Sequence, residues 1–184
     1  MSVRDSESTR ARRTTPMPPR VRRTVLVLHI IAAVSWLGLT FADVTLAITG
    51  MASDSPEVRH AMFRALGTIA DILLIPVAWT AFLTGLLLAL GTQWGLLRHK
   101  WVLTKFCLTV LTVALTTFSL VPGLKGMRDE VNATPAGELV QLETSDVTAL
   151  ISAGIISTTI YTTCVVLSVF KPWGRTKRGR AQTR

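Results

Sequence analysis

The chain has 184 residues, 49% of them hydrophobic, with a mean hydropathy of +0.44 and a formal net charge of +9 from 20 Lys and Arg against 11 Asp and Glu. That much apolar sequence, with most of the charge in the margins, excludes an ordinary water-soluble domain. Nucleic-acid binding is excluded as well. The basic segments directly flank apolar runs and, apart from Trp173, carry no interleaved aromatics on which bases could stack.

Residues 1–23, rich in Arg, Ser, Thr and Pro, read as a disordered basic tail. The first apolar run, 24–48, follows at once. Arg22, Arg23 and Thr24 ahead of Val25, Leu26 and Val27 resemble a twin-arginine leader, but the run is too long for a signal segment and no small-residue cleavage site follows. It is therefore predicted to be an uncleaved helix. In the next connection Ser55 is placed to cap, Pro56 to open and Glu57 to favour a helix. That predicts an amphipathic turn through Val58, Ala61, Met62, Phe63 and Leu66 lying on the membrane surface.

The second run spans 68–90, with Pro76 placed to kink it, and the third spans 102–121. Between them Trp94 and Trp101, and beyond the last run Trp173, are expected at headgroup level, where amphipathic rings prefer to lie. Pro122, Gly123, Gly126, Pro135 and Gly137 read as an acidic loop ending in a short helix. The fourth run, 147–170, precedes a basic tail, 171–184. Each run is near the roughly 20 residues that cross about 30 Å of hydrocarbon. The predicted fold is all-α: a bundle of four transmembrane helices in antiparallel sequence.

Orientation follows from the base count. Both termini and the second connection, on one side, carry seven, six and two Lys and Arg, whereas the first and third connections carry two each. Positive flanks are retained in the cytoplasm, so both termini are predicted inside a plasma or inner membrane, with the basic tails against anionic lipid headgroups.

Candidate functional residues are the polar ones within hydrocarbon, which are costly there and face the interior. At about 100° per residue, His29, Trp36, Thr40 and Asp43 form one stripe on the first helix, and Lys105, Thr109, Thr112 and Thr116 one on the third. Thr148, Ser152, Thr159 and Thr163 do so on the fourth, and Asp71, Ala78 and Gly85 on the second. The polar interior is thus predicted to comprise Trp36, Thr40, Asp43, Asp71, Thr109 and Thr112, with Asp43 and Asp71 close enough to share a proton or a solute. His29 is either a ligand or a donor to a helix carbonyl. Lys105 is either buried or reaches for headgroups. Gly38, Gly85 and Gly154 permit close helix approach. Cys107 and Cys164 lie inside runs, and Cys107 points about 200° from Lys105, so no metal site is predicted.

Leu28 to Ile31, Ser35 to Gly38, Gly85, then Trp94, Gly95, Leu96, Arg98, Trp101, Val102 and Lys105, and the closing stretch from Ser168 to Gly174, resemble an uncharacterised bacterial family of four-helix membrane proteins. More distantly, the first-run His followed by Trp, with Trp101 four residues before Lys105, is similar to HemJ-type protoporphyrinogen oxidases and the copper-resistance D domain. That likeness implies haem or porphyrin binding through His29 and Lys105, although no second intramembrane His offers an opposite ligand.

No repeat, phosphate cradle, nucleophile elbow or paired-cysteine motif is present in the sequence. The expectation is a non-enzymatic accessory subunit or a small-solute or proton-linked membrane protein, with a HemJ-like haem protein as the alternative. A homo-oligomer or a partner subunit is compatible with either.

Overall fold

The computed structural model describes residues 17–91, 96 and 99–172. Four long helices make up most of this: α1 (Pro19–Ala52), α2 (Pro56–Gly91), α3 (Lys100–Ala133) and α4 (Thr144–Phe170). All four are long and apolar enough to cross a membrane. The expected basic tails lie largely outside the described residues, as do Trp94 and Trp173, while Trp101 is buried.

α1 packs beside α2 and α4, and α3 also packs beside both. The helices therefore follow one another around a ring, each antiparallel to the next. Pro19 and Phe170 lie at one end, here the basal end. The distal end holds the connections 53–55 and 134–143. With 34, 36 and 34 residues, α1, α2 and α3 extend about 50 Å each, well past the roughly 30 Å of hydrocarbon.

The helix ends follow from local sequence. α1 starts ahead of its apolar run because Pro19 already has the backbone angle of a first helical turn, so Arg20, Arg22 and Arg23 are helical. Pro56 and Glu57 open α2, but Ser55 makes no side-chain cap. Its N–H instead donates to the Ser53 hydroxyl at 3.2 Å. α4 stops at Lys171, which is left-handed (φ 46°) and donates its N–H to the Leu167 carbonyl.

α2 and α3 are each interrupted by a π-helical segment, Ala70–Leu74 and Thr116–Leu120. Each segment lies just before a proline, Pro76 in one case and Pro122 in the other. A proline inside a helix lacks the N–H for the i−4 carbonyl and its ring collides with that carbonyl. Widening the preceding turn relieves both problems. The segments sit about 16 residues from the basal ends of their helices, and because α2 and α3 are antiparallel neighbours they lie at one level.

The distal end is where side chains are most completely enclosed. Phe63, Leu66, Leu124, Val131 and Val140 are among the largest fully buried side chains, joined by Met127 and Leu142. These come from 56–67 of α2, the far end of α3 and the 134–143 connection. Two expectations are corrected here. Residues 58–66 do not lie alone on a membrane surface, and Pro122, Gly123 and Gly126 are helical. Val121, Leu124, Met127 and Val131 recur at helical spacing and bury one side of α3 against α2, which outweighs the weak helix propensity of the two glycines.

Nearer the basal end the outward surface is apolar, as a lipid-facing surface must be. Ile30, Ile31, Val34, Phe41, Phe118, Ile155 and Val169 are all exposed. The stripe predicted to face inward on α4 lies on this surface too, since Thr148, Ser152, Thr159 and Thr163 are exposed. The buried face is Val147, Leu150, Gly154 and Leu167. Thr159 and Thr163 satisfy their hydroxyls on the carbonyls of Ile155 and Thr159, four residues back, so lipid exposure leaves neither of these two donors unpaired.

Candidate functional site: a carboxyl in a four-helix cavity

α1 turns Ala32, Trp36, Thr40, Asp43, Ala47 and Gly50 to the interior at spacings of three and four. Midway along this face a small cavity opens. α1 lines it with Trp36, Thr40, Asp43 and Val44, α2 with Leu74, α3 with Thr116 and Leu120, and α4 with Leu150, Gly154 and Ser157. Leu74, Thr116 and Leu120 belong to the two π segments, so the widened turns form part of its wall. Its volume of about 10 Å³ is that of roughly one water-sized particle.

Asp43 is the one ionisable residue on this wall. It is 3% exposed, and its Oδ1 has no hydrogen-bond partner. The Thr40 hydroxyl donates to the Trp36 carbonyl (3.1 Å), which leaves its lone pairs for another group. The Trp36 ring meets Tyr161 edge to face, with centroids 5.2 Å apart. The Tyr161 hydroxyl stands near Thr40 without completing a hydrogen bond. Behind Asp43, Val44 fills the hollow left by Gly154, so the backbones of α1 and α4 come close together.

His29 and Lys105 lie nearer the basal end and engage different helices. His29 Nδ1 donates to the Ala81 carbonyl of α2 at 3.0 Å, with the Thr84 hydroxyl at 3.2 Å, and its ring occupies the space a side chain at Gly85 would need. The Lys105 ammonium donates to the Ser168 hydroxyl of α4 at 2.5 Å, so it is held within the bundle. Thr109 and Thr112 donate to carbonyls one turn back, and Thr112 is buried. Gly38 has no neighbour that a side chain would meet, unlike Gly85 and Gly154. Among the described residues no cluster of metal-ligating side chains forms.

Asp71 does not join this interior. It is exposed on α2 and forms ion pairs with Lys125 (2.6 Å) and Arg128 of α3. The π segment explains this. Buried residues on α2 step by four, through Leu66, Ala70, Leu74 and Ala78, which turns Asp71 away from the face a straight helix would give it. Asp43 and Asp71 therefore do not meet.

Sequence reasoning missed the polar frame at the distal end. The Arg59 guanidinium donates to four carbonyls: Gly50 (3.2 Å), Met51 (3.3 Å) and Ser53 (3.0 Å) where α1 ends, and Val140 (3.0 Å). His60 Nε2 donates to the Glu138 carbonyl (3.1 Å), and Arg64 to Asn132 (2.9 Å). The only signal in the sequence was the position of Arg59 and His60 one turn after a helix start.

Four antiparallel apolar helices enclosing a few polar groups define a polytopic helical membrane protein. The chain belongs to DUF2269, a family of predicted integral membrane proteins, whose pattern matches residues 23–172. No match was found among curated proteins or among solved structures, and the likeness to HemJ-type and copper-resistance D proteins receives no support from these comparisons.

Proposed function

We propose that this protein is a non-enzymatic, proton-linked handler of a small solute, with Asp43 as its exchanging acid. The observation that carries this reading is the buried Asp43 carboxyl, unpaired at one oxygen, in a cavity to which all four helices contribute. A lone carboxylate is costly in a low-dielectric interior, so its charge must be compensated by a proton or a cation. An acid kept at that depth is the usual mark of a coupling site. The paired π segments of α2 and α3 support the same reading, because such widened turns inside helices occur frequently at functional sites.

Purified protein in dye-loaded liposomes tests it. An external acid pulse is expected to reach the lumen faster than in empty vesicles, and Asp43→Asn is expected to lower that rate about tenfold, equivalent to about 1.4 kcal/mol. An unchanged rate in folded Asp43→Asn protein overturns the assignment.

The orientation belongs to the same proposal. Arg20, Arg22 and Arg23 crowd the N-terminal turns of α1, where the helix dipole disfavours cations. Anionic headgroups on the cytoplasmic side would offset that cost and hold both termini inside. A reporter fused after Arg184 is expected to be active only when it is a cytoplasmic type, and activity of a periplasmic reporter there refutes the orientation.

A further inference from the structure

The chemistry of the cavity wall identifies a ligand. We propose that the Asp43 cavity is a binding site for one small dehydrated monovalent cation of the sodium class, which competes with the proton for the carboxylate. This rests on the proton-linked reading above and names the second ion that the same acid takes.

The wall carries one formal charge, and it is negative. The Asp43 carboxylate has an unpartnered oxygen, buried and lining the space. Thr40, Thr116 and Ser157, each bearing a hydroxyl and each from a different helix, also line the cavity. The Thr40 proton is committed to the Trp36 carbonyl, so this hydroxyl offers its neighbours only lone pairs. A carboxylate with hydroxyl oxygens is a set that suits a hard cation, and the fixed negative charge of Asp43 repels an anion.

Charge and size narrow the class. Divalent cations collect several carboxylates, whereas this wall has one, so a single positive charge neutralises it. A space for roughly one water-sized particle admits a small bare cation and disfavours larger ones. The titratable groups flanking this level are His29 on α1, Asp71 on α2, Lys105, Cys107 and Lys125 on α3, and Asp146, Tyr161 and Cys164 on α4. None of them lines the cavity. The proton and the cation therefore compete at Asp43 alone.

Infrared difference spectroscopy on the full-length protein in liposomes separates the possibilities. The band of a protonated buried carboxyl, identified by its loss in Asp43→Asn, is recorded against pH in choline chloride, then in sodium, lithium and potassium chloride at equal ionic strength. The expected result is that sodium or lithium abolishes the band at a pH where choline leaves it, with potassium at least about tenfold less effective. Thr116→Val keeps the carboxyl and removes one ligand, so about tenfold more sodium is expected to be needed. If Asp43→Asn does not fold, the band is assigned instead by its frequency shift in Thr116→Val, and this variant serves as the test. A band that titrates with pH but ignores every cation, as a site holding only water would, overturns the cation site and leaves the proton-linked reading standing. A carboxyl band that never titrates overturns both.

Discussion

Gly154→Leu is expected to drive α4 away from α1, so that the variant no longer elutes as a single folded species after extraction into mild detergent. The reason is local. A side chain built on Gly154 collides with the Cγ2 methyl of Val44, and both residues are part of the cavity wall. Val44 cannot swing aside, because a β-branched residue in a helix is largely restricted to one rotamer. Even Gly154→Ala is expected to cost about 1 to 3 kcal/mol, as overpacking of a tight core usually does. If the collision is the cause, Val44→Ala combined with Gly154→Ala recovers most of the loss in unfolding midpoint. If both single variants keep the wild-type midpoint, the close approach of α1 and α4 is wrong.

Arg59→Ala is the second large effect. This guanidinium serves four carbonyls, three of them from Gly50 to Ser53 as α1 closes, where helix geometry leaves acceptors without intrahelical partners. The fourth, on Val140, ties down the 134–143 connection. Hydrogen bonds to a charged donor contribute about 1.5 to 3 kcal/mol each, and water replaces part of them at a half-buried site. A net loss of about 3 kcal/mol is the expected outcome. Arg59→Lys does not restore it, because one ammonium cannot span a fork of acceptors set by a planar group. Hydrogen exchange checks the mechanism: amides near 50–53 and 140 lose protection together in Arg59→Ala, while those around Ala81 do not. Uniform loss of protection would show that Arg59 does not act locally.

The number of helices and their antiparallel succession were legible because hydrocarbon thickness imposes a length, and short connections impose direction. The inward face of α1 was legible for a different reason. Trp36, Thr40 and Asp43 lie on a regular helix, so the arithmetic of about 100° per residue applies along its length. The same arithmetic fails on α2, where the π turn before Pro76 carries Asp71 out of phase with Ala78. On α4 it fails because threonine is ambiguous in lipid. Thr159 and Thr163 bond to their own helix, so a polar stripe need not face inward, and the true inner face lies about one residue around. The distal end was hidden by composition. Pro122, Gly123 and Gly126 read as loop residues, although Leu124, Met127 and Val131 carried helical spacing across the same stretch. The cavity was not legible, since Leu74, Thr116 and Ser157 come from three different helices and the first two lie in π turns that shift the helical phase.

The enclosure of Phe63, Leu66, Leu124 and Val131 has a consequence for anyone isolating this protein. Among lipid tails there is no hydrophobic drive between helices. On the orientation proposed above, the distal ends of α2 and α3 emerge into water, where burial of these side chains fastens them more strongly than packing does in hydrocarbon. A micelle exchanges only the solvent around the middle of the bundle. Extraction is gentle on such a molecule, whereas a chaotrope acting from the aqueous phase attacks the clasp directly. Urea should therefore loosen this protein at concentrations where bilayer-embedded bundles of similar size without such a clasp hold together.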